Sequence, residues 1–139
     1  MLRTATCCCG QASIGVEGEP KIHVVCHCND CKKRTGSAFG MSAYFADTQV
    51  KSKQGETASY AINTSDTQQE RHFCPSCGTT LYWKIAKFPG LPASIAEMTG
   101  IAGGCFADTP LPEPTHTANN KGKCAWVELP KLKIIEPPG

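Results

Sequence analysis

The sequence predicts a mainly-β single domain, and three observations carry that prediction. Thirteen glycines and ten prolines in 139 residues favour short strands and frequent turns over long helices. Short runs of β-branched and aromatic residues recur between turn residues, the spacing of paired strands. A hydrophobic share of 40% suffices for one core, and no repeat or linker divides the chain, so residues 1–139 read as one domain of ordinary size.

The elements follow in order. Residues 11–16 and 21–25 read as strands, the second running straight into Cys26. Residues 28–36 are polar and basic and predict a turn or one short helix. Strands are expected at 40–45, 50–53, 58–63 and 68–73, the last running into Cys74. Residues 79–85 should pair with 68–73 as a hairpin whose turn is the Cys74–Gly78 segment. Residues 99–122 read as loop, with Gly103-Gly104, several prolines and Asn119-Asn120. A last strand is expected at 124–129, and the tail at 136–139 as frayed.

Charge and hydropathy remove several function classes. A formal net charge of +2 lacks the basic stripe that nucleic-acid binding needs. No run of about 18 apolar residues predicts a membrane helix. Residues 1–10 have no apolar core segment and do not read as a signal peptide. The expected location is therefore cytoplasmic.

Ten cysteines are the anomaly in that setting. Cytosolic thiols stay reduced, so clustered cysteines there read as metal ligands or catalytic groups. Cys7-x-Cys9-Gly10 and Cys74-x-x-Cys77-Gly78 are two tight pairs, each followed by a glycine that relieves crowding where the chain folds back. Together they make a closed four-thiolate zinc site, which would tie the N-terminal segment to the middle of the chain.

Cys26-x-Cys28-x-x-Cys31 offers three thiols without an obvious fourth partner. Three protein ligands leave a zinc position open, as catalytic sites do. A fourth ligand from His27, His72, His116 or Cys105 would instead close the site, or the triad would carry no metal. His27 lies between two ligands and is expected to point away. Cys105 and Cys124 read as small buried hydrophobes, and Cys8 as facing away from its neighbours' metal.

These motifs, with Gly36-Ser37-Ala38-Phe39, Phe73 and Thr79 flanking them and with Pro114-Thr115-His116 and Ala125-Trp126-Val127 further on, resemble the glutathione-dependent formaldehyde-activating family, which includes centromere protein V-like proteins. The resemblance spans nearly the whole chain. It implies a β-tent fold of packed antiparallel sheets. It implies a structural zinc on Cys7, Cys9, Cys74 and Cys77, and a second, catalytic-type zinc on Cys26, Cys28 and Cys31. It also implies a carbon–sulfur lyase acting on thiol–aldehyde adducts, of the S-(hydroxymethyl)glutathione synthase kind. Gly103-Gly104-Cys105-Phe106-Ala107-Asp108 replaces the family's usual Leu-Asp, and Cys8 is additional; both departures are expected to touch the substrate pocket.

The partner so implied is a small thiol, with glutathione the first candidate, and the chain is expected as a monomer or homodimer. Lys32, Lys33 and Arg34 are candidates for pairing with substrate carboxylates, or else a solvated basic face. His116 is the candidate for proton transfer outside the cluster. Arg71 and His72 read as strand residues near the structural zinc. The competing reading is a non-enzymatic zinc module that binds a protein partner. Redox sensing through Cys28 and Cys31 is disfavoured because zinc would sequester those thiolates.

Overall fold

The computed structural model describes residues 1–135. Eleven strands and one short α-helix occur among them: β1 (Leu2–Thr6), β2 (Ser13–Glu17), β3 (Ile22–Cys26), α1 (Asn29–Thr35), β4 (Gly40–Ala46), β5 (Val50–Gln54), β6 (Ala58–Asn63), β7 (Gln68–Phe73), β8 (Thr80–Lys87), β9 (Met98–Ala102), β10 (His116–Ala118) and β11 (Lys133–Ile135). They form two sheets. The small one runs β1-β2-β5, and the large one runs β11-β10-β3-β4-β9-β8-β7-β6. The mainly-β, two-sheet architecture is the expected one.

Three parts differ from expectation. β1 forms where no strand was predicted, pairing antiparallel with β2 from Leu2↔Glu17 to Thr6↔Ser13. The 99–122 stretch is not a loop throughout. It contains β9, which bridges β4 and β8 in the middle of the large sheet, and β10. β10 pairs in parallel with both β3 and β11, so that edge of the sheet is mixed rather than antiparallel. No strand forms at 124–129. A turn closed by the Val127 N–H on the Cys124 carbonyl (3.0 Å) interrupts it, Trp126 is exposed, and the pairing falls to β11. The tail at 136–139 lies outside the described residues.

Period-two alternation divides the core between the two faces of the large sheet. One face packs on the small sheet, with Ala43 and Phe45 of β4 and Ile101 of β9 meeting Ala5, Ile14 and Val16. The other face carries Val24, Tyr44, Trp83 and Ile85. A bulge opposite the His72–Phe73 step inserts Leu81, so that Leu81 and Tyr82 both join the inter-sheet core while Trp83 faces the other way.

Candidate metal centres and their cavity

The two predicted cysteine groups assemble as separate clusters. Within each, the sulfurs lie inside 4.8 Å of one another.

The first cluster joins the sheets at one end. Cys7 and Cys9 come from the turn after β1, and Cys74 and Cys77 from the hairpin turn between β7 and β8. Both turns fold as their glycines require. Gly10 (φ +81°) and Gly78 (φ +79°) adopt left-handed conformations. The Gly10 N–H donates to the Cys7 carbonyl at 3.0 Å and the Gly78 N–H to the Cys74 carbonyl at 2.8 Å. Cys9 Sγ lies 3.6 Å from the Sγ atoms of both Cys7 and Cys74. A tetrahedral zinc with sulfur at about 2.3 Å would set its sulfurs about 3.8 Å apart, so this donor set fits that ion. The Thr79 hydroxyl, 3.2 Å away, is the largest influence lowering the Cys77 thiol to about 5. Cys8 is exposed and takes no part.

The second cluster is built by the start of α1. Cys26 ends β3, and Cys28 is the helix N-cap, its sulfur accepting from the Cys31 N–H at 3.3 Å. The helix stops at Gly36 (φ +65°). Gly40 opens β4 beside the cluster. A Cβ there would lie 2.9 Å from Arg34 Nη2, 3.0 Å from Cys31 Cβ and 3.6 Å from Cys31 Sγ, so a side chain at this position would displace the Arg34 tip and crowd Cys31. Hydrogen bonds from Cys28 and Cys31 pull the Cys26 thiol down to about 2, while Cys26 and then Cys28 push Cys31 upward. Three packed sulfurs therefore share protons between them, and ionising all three needs a cation. This donor set suits a soft divalent metal.

The fourth-ligand candidates do not reach this cluster; among the described residues the group within reach is Cys26, Cys28 and Cys31. His27 is fully buried and meets Phe39 edge-on at 5.9 Å. His72 stacks on Tyr82 at 4.7 Å. Cys105 is half-buried against the inter-sheet core, and Cys124 is half-buried too, so neither is the fully buried residue expected.

The cluster borders a cavity of about 90 Å³ on the outer face of the large sheet. Alternate residues of the central strands line it: Ile22, Val24 and Cys26 from β3, Ser42 and Tyr44 from β4, Trp83 and Ile85 from β8. Arg34 and Arg71 line it as well. Arg71 therefore serves the three-cysteine side rather than the four-cysteine one, and it pairs with Asp30 of α1. Arg34 lies over the Trp83 ring at 4.5 Å. Lys32 instead binds the Gly122 carbonyl, and Lys33 is exposed. Neither lysine lines the cavity, nor do His116 and the Gly103–Asp108 segment.

Sequence reasoning missed Asn119. Its amide donates to Cys26 Sγ at 3.3 Å, and its backbone is left-handed (φ +57°), the one such non-glycine residue among those described. The Asn-Asn pair signalled a turn; nothing local to it pointed to a partner at Cys26. Tyr44 was missed too. Burial pushes its hydroxyl up to about 12, so it stays protonated, and it accepts from Trp83 Nε1 at 3.2 Å.

Residues 2–121 match the family model described as glutathione-dependent formaldehyde-activating enzyme. No curated protein matches the chain. Among solved structures, a crystal structure of a Rhodobacter sphaeroides protein shares the fold, with a TM-score of 0.54 and 20% identity over 73% of this chain and 85% of that one.

Proposed function

The chain belongs to the glutathione-dependent formaldehyde-activating family, and on that premise we propose that it is a zinc-dependent carbon–sulfur lyase that joins a small thiol to an aldehyde. One observation carries the proposal. A cluster of three thiols opens on a cavity, and no fourth protein donor among the described residues reaches it.

In this reading Cys7, Cys9, Cys74 and Cys77 would hold a structural zinc, and Cys26, Cys28 and Cys31, which border the cavity, would hold a second one. Zinc bound there would supply a site for a soft thiol and favour its deprotonated form. The chain's own residues do the rest. Asn119 orients Cys26 through its amide. Arg34 and Arg71 place positive charge in the cavity wall beside the cysteines. Tyr44 presents a neutral hydroxyl in the same wall, suited to donate a hydrogen bond to the aldehyde oxygen.

The reaction forms one carbon–sulfur bond and transfers one proton from the thiol to the carbonyl oxygen, with no change of oxidation state. Glutathione, the thiol in the family's description, is the first to test.

The test replaces zinc by cobalt and titrates the protein with glutathione and other small thiols, following cobalt absorption. A saturable change that Cys28→Ser abolishes supports the reading. Two bound cobalt ions whose spectrum no thiol alters would overturn it and favour a module that binds a protein partner.

A further inference from the structure

The cavity's walls limit what kind of thiol it can hold. Away from the cysteines they are aliphatic and aromatic. Ile22, Phe88, Leu91 and Ile135 border the cavity while only partly buried. Side chains of that kind left partly uncovered around a concavity are where an apolar ligand group gains most.

Asn119 is bonded to Cys26, and three charged side chains line the cavity, Asp30, Arg34 and Arg71. Arg71 leaves its Nε buried without a partner, but its charge is met by Asp30. Arg34 is in no ion pair among the described residues. Its Nη2 is buried and has no hydrogen-bond partner among the described residues, and that atom borders the same gap at Gly40 as Cys31 Sγ does. A buried guanidinium N–H without an acceptor is costly. A carboxylate of the ligand would satisfy it.

Size points the same way. The cavity measures about 90 Å³, against roughly 150 Å³ for an engineered cavity that encloses benzene. That room suits a chain of a few carbons. A tripeptide with two carboxylates and an ammonium would find one guanidinium not already in an ion pair, and mostly apolar walls.

We propose that the site selects a small monocarboxylate thiol with a short apolar tail, its carboxylate on Arg34 and its tail against Ile22, Phe88, Leu91 and Ile135. The inference rests on the reading that Cys26, Cys28 and Cys31 hold a metal that takes the thiol. The reaction class comes from the family and the thiol's identity from the walls.

The test is calorimetry on the zinc-loaded protein with four thiols: 2-mercaptohexanoate, which has both features; mercaptoacetate, which lacks the tail; 1-pentanethiol, which lacks the carboxylate; and glutathione. Each methylene buried is worth about fourfold in affinity, so 2-mercaptohexanoate should bind at least about tenfold more tightly than each of the other three. Arg34→Met should bring 2-mercaptohexanoate down to the level of pentanethiol, weakening it by about tenfold or more while weakening pentanethiol far less, a pattern that a misfolded variant would not give. Arg34→Lys, which keeps the charge but loses the fork, should fall between.

Glutathione binding as tightly as 2-mercaptohexanoate, or a preference for 2-mercaptohexanoate that survives in Arg34→Met, overturns the proposal and leaves the lyase reading standing. Failure of all four thiols to bind overturns both.

Discussion

The four-cysteine cluster joins two sheets, whereas the three-cysteine cluster stands beside a cavity on one face of a single sheet. Both are made from closely spaced cysteines, so ligand chemistry does not separate them. What separates them is where the donors come from and what lies next to the metal position. Cys7 and Cys9 meet Cys74 and Cys77 from turns far apart in the chain, so an ion there closes a long loop and fastens the fold. Cys26, Cys28 and Cys31 come from one strand end and the first turn of one helix. An ion there fastens little that β3, β4 and α1 do not already hold. Its neighbourhood is instead cleared, by Gly40 above all. On the proposed reading, a site that would hold the fold together is completed by the protein, and a site that would do chemistry is left with space.

The largest effect expected from that contrast is on folding. Cys74→Ser removes a fully buried thiol of the four-cysteine cluster. It should cost on the order of several kcal/mol, comparable with the whole stability of a small domain, and abolish the cooperative thermal transition. Cys28→Ser should keep the transition and lose one metal ion per chain. If both variants unfold alike, the division of labour fails.

Next in size is Gly40→Ala. Its Cβ would press on Cys31 and Arg34 and should cost about 1–3 kcal/mol. Metal should be lost from the three-cysteine site first, as read by chelator competition.

Asn119 allows a finer separation. Asn119→Gly keeps the left-handed backbone available and removes only the amide on Cys26. It should weaken metal at that site by roughly tenfold with little change in melting temperature. Asn119→Ala should add a stability loss of about 1 kcal/mol for the left-handed conformation.

The smallest effect tests the frame that both clusters share. Burial lowers the pKa of His23, against a weaker pull from the Pro112 carbonyl. The unfolded chain therefore takes up the proton first as pH falls below about 6.5. The contribution of neutral His23 is fully present above that pH and is lost progressively below it, down to the folded-state value. Denaturant unfolding at pH 7.5 and 5.5 should show a smaller pH dependence for His23→Leu than for the wild type.

Much of this contrast was legible in the sequence. Both cysteine groups, the glycines after them and strands β2 to β8 were readable because each signal lies within a few residues. β1 was missed because Leu2–Thr6 is short and places a charged residue, Arg3, at a buried position. β9 and β10 were hidden by the glycines and prolines around them, and their strand character comes from the neighbours they pair with. The expected strand at 124–129 rested on apolar residues that the structure leaves in a turn. Asn119, Arg71 and Tyr44 were illegible as site residues for a common reason. Each reaches the three-cysteine cavity through the packing of the large sheet, and no local pattern carries that information.

The placement of Asn119 also sets an order in time. A ribosome finishes the four-cysteine set at Cys77 and makes Asn119 and Gly122 only some forty residues later, several seconds at ordinary rates of synthesis. During that interval the newborn chain already holds Cys26, Cys28 and Cys31, without the amide that steadies Cys26 or the carbonyl that anchors Lys32. On the proposed reading, an ion at the four-cysteine cluster would be the first to find its donors complete, and the three-cysteine cluster would spend its earliest moments uncovered.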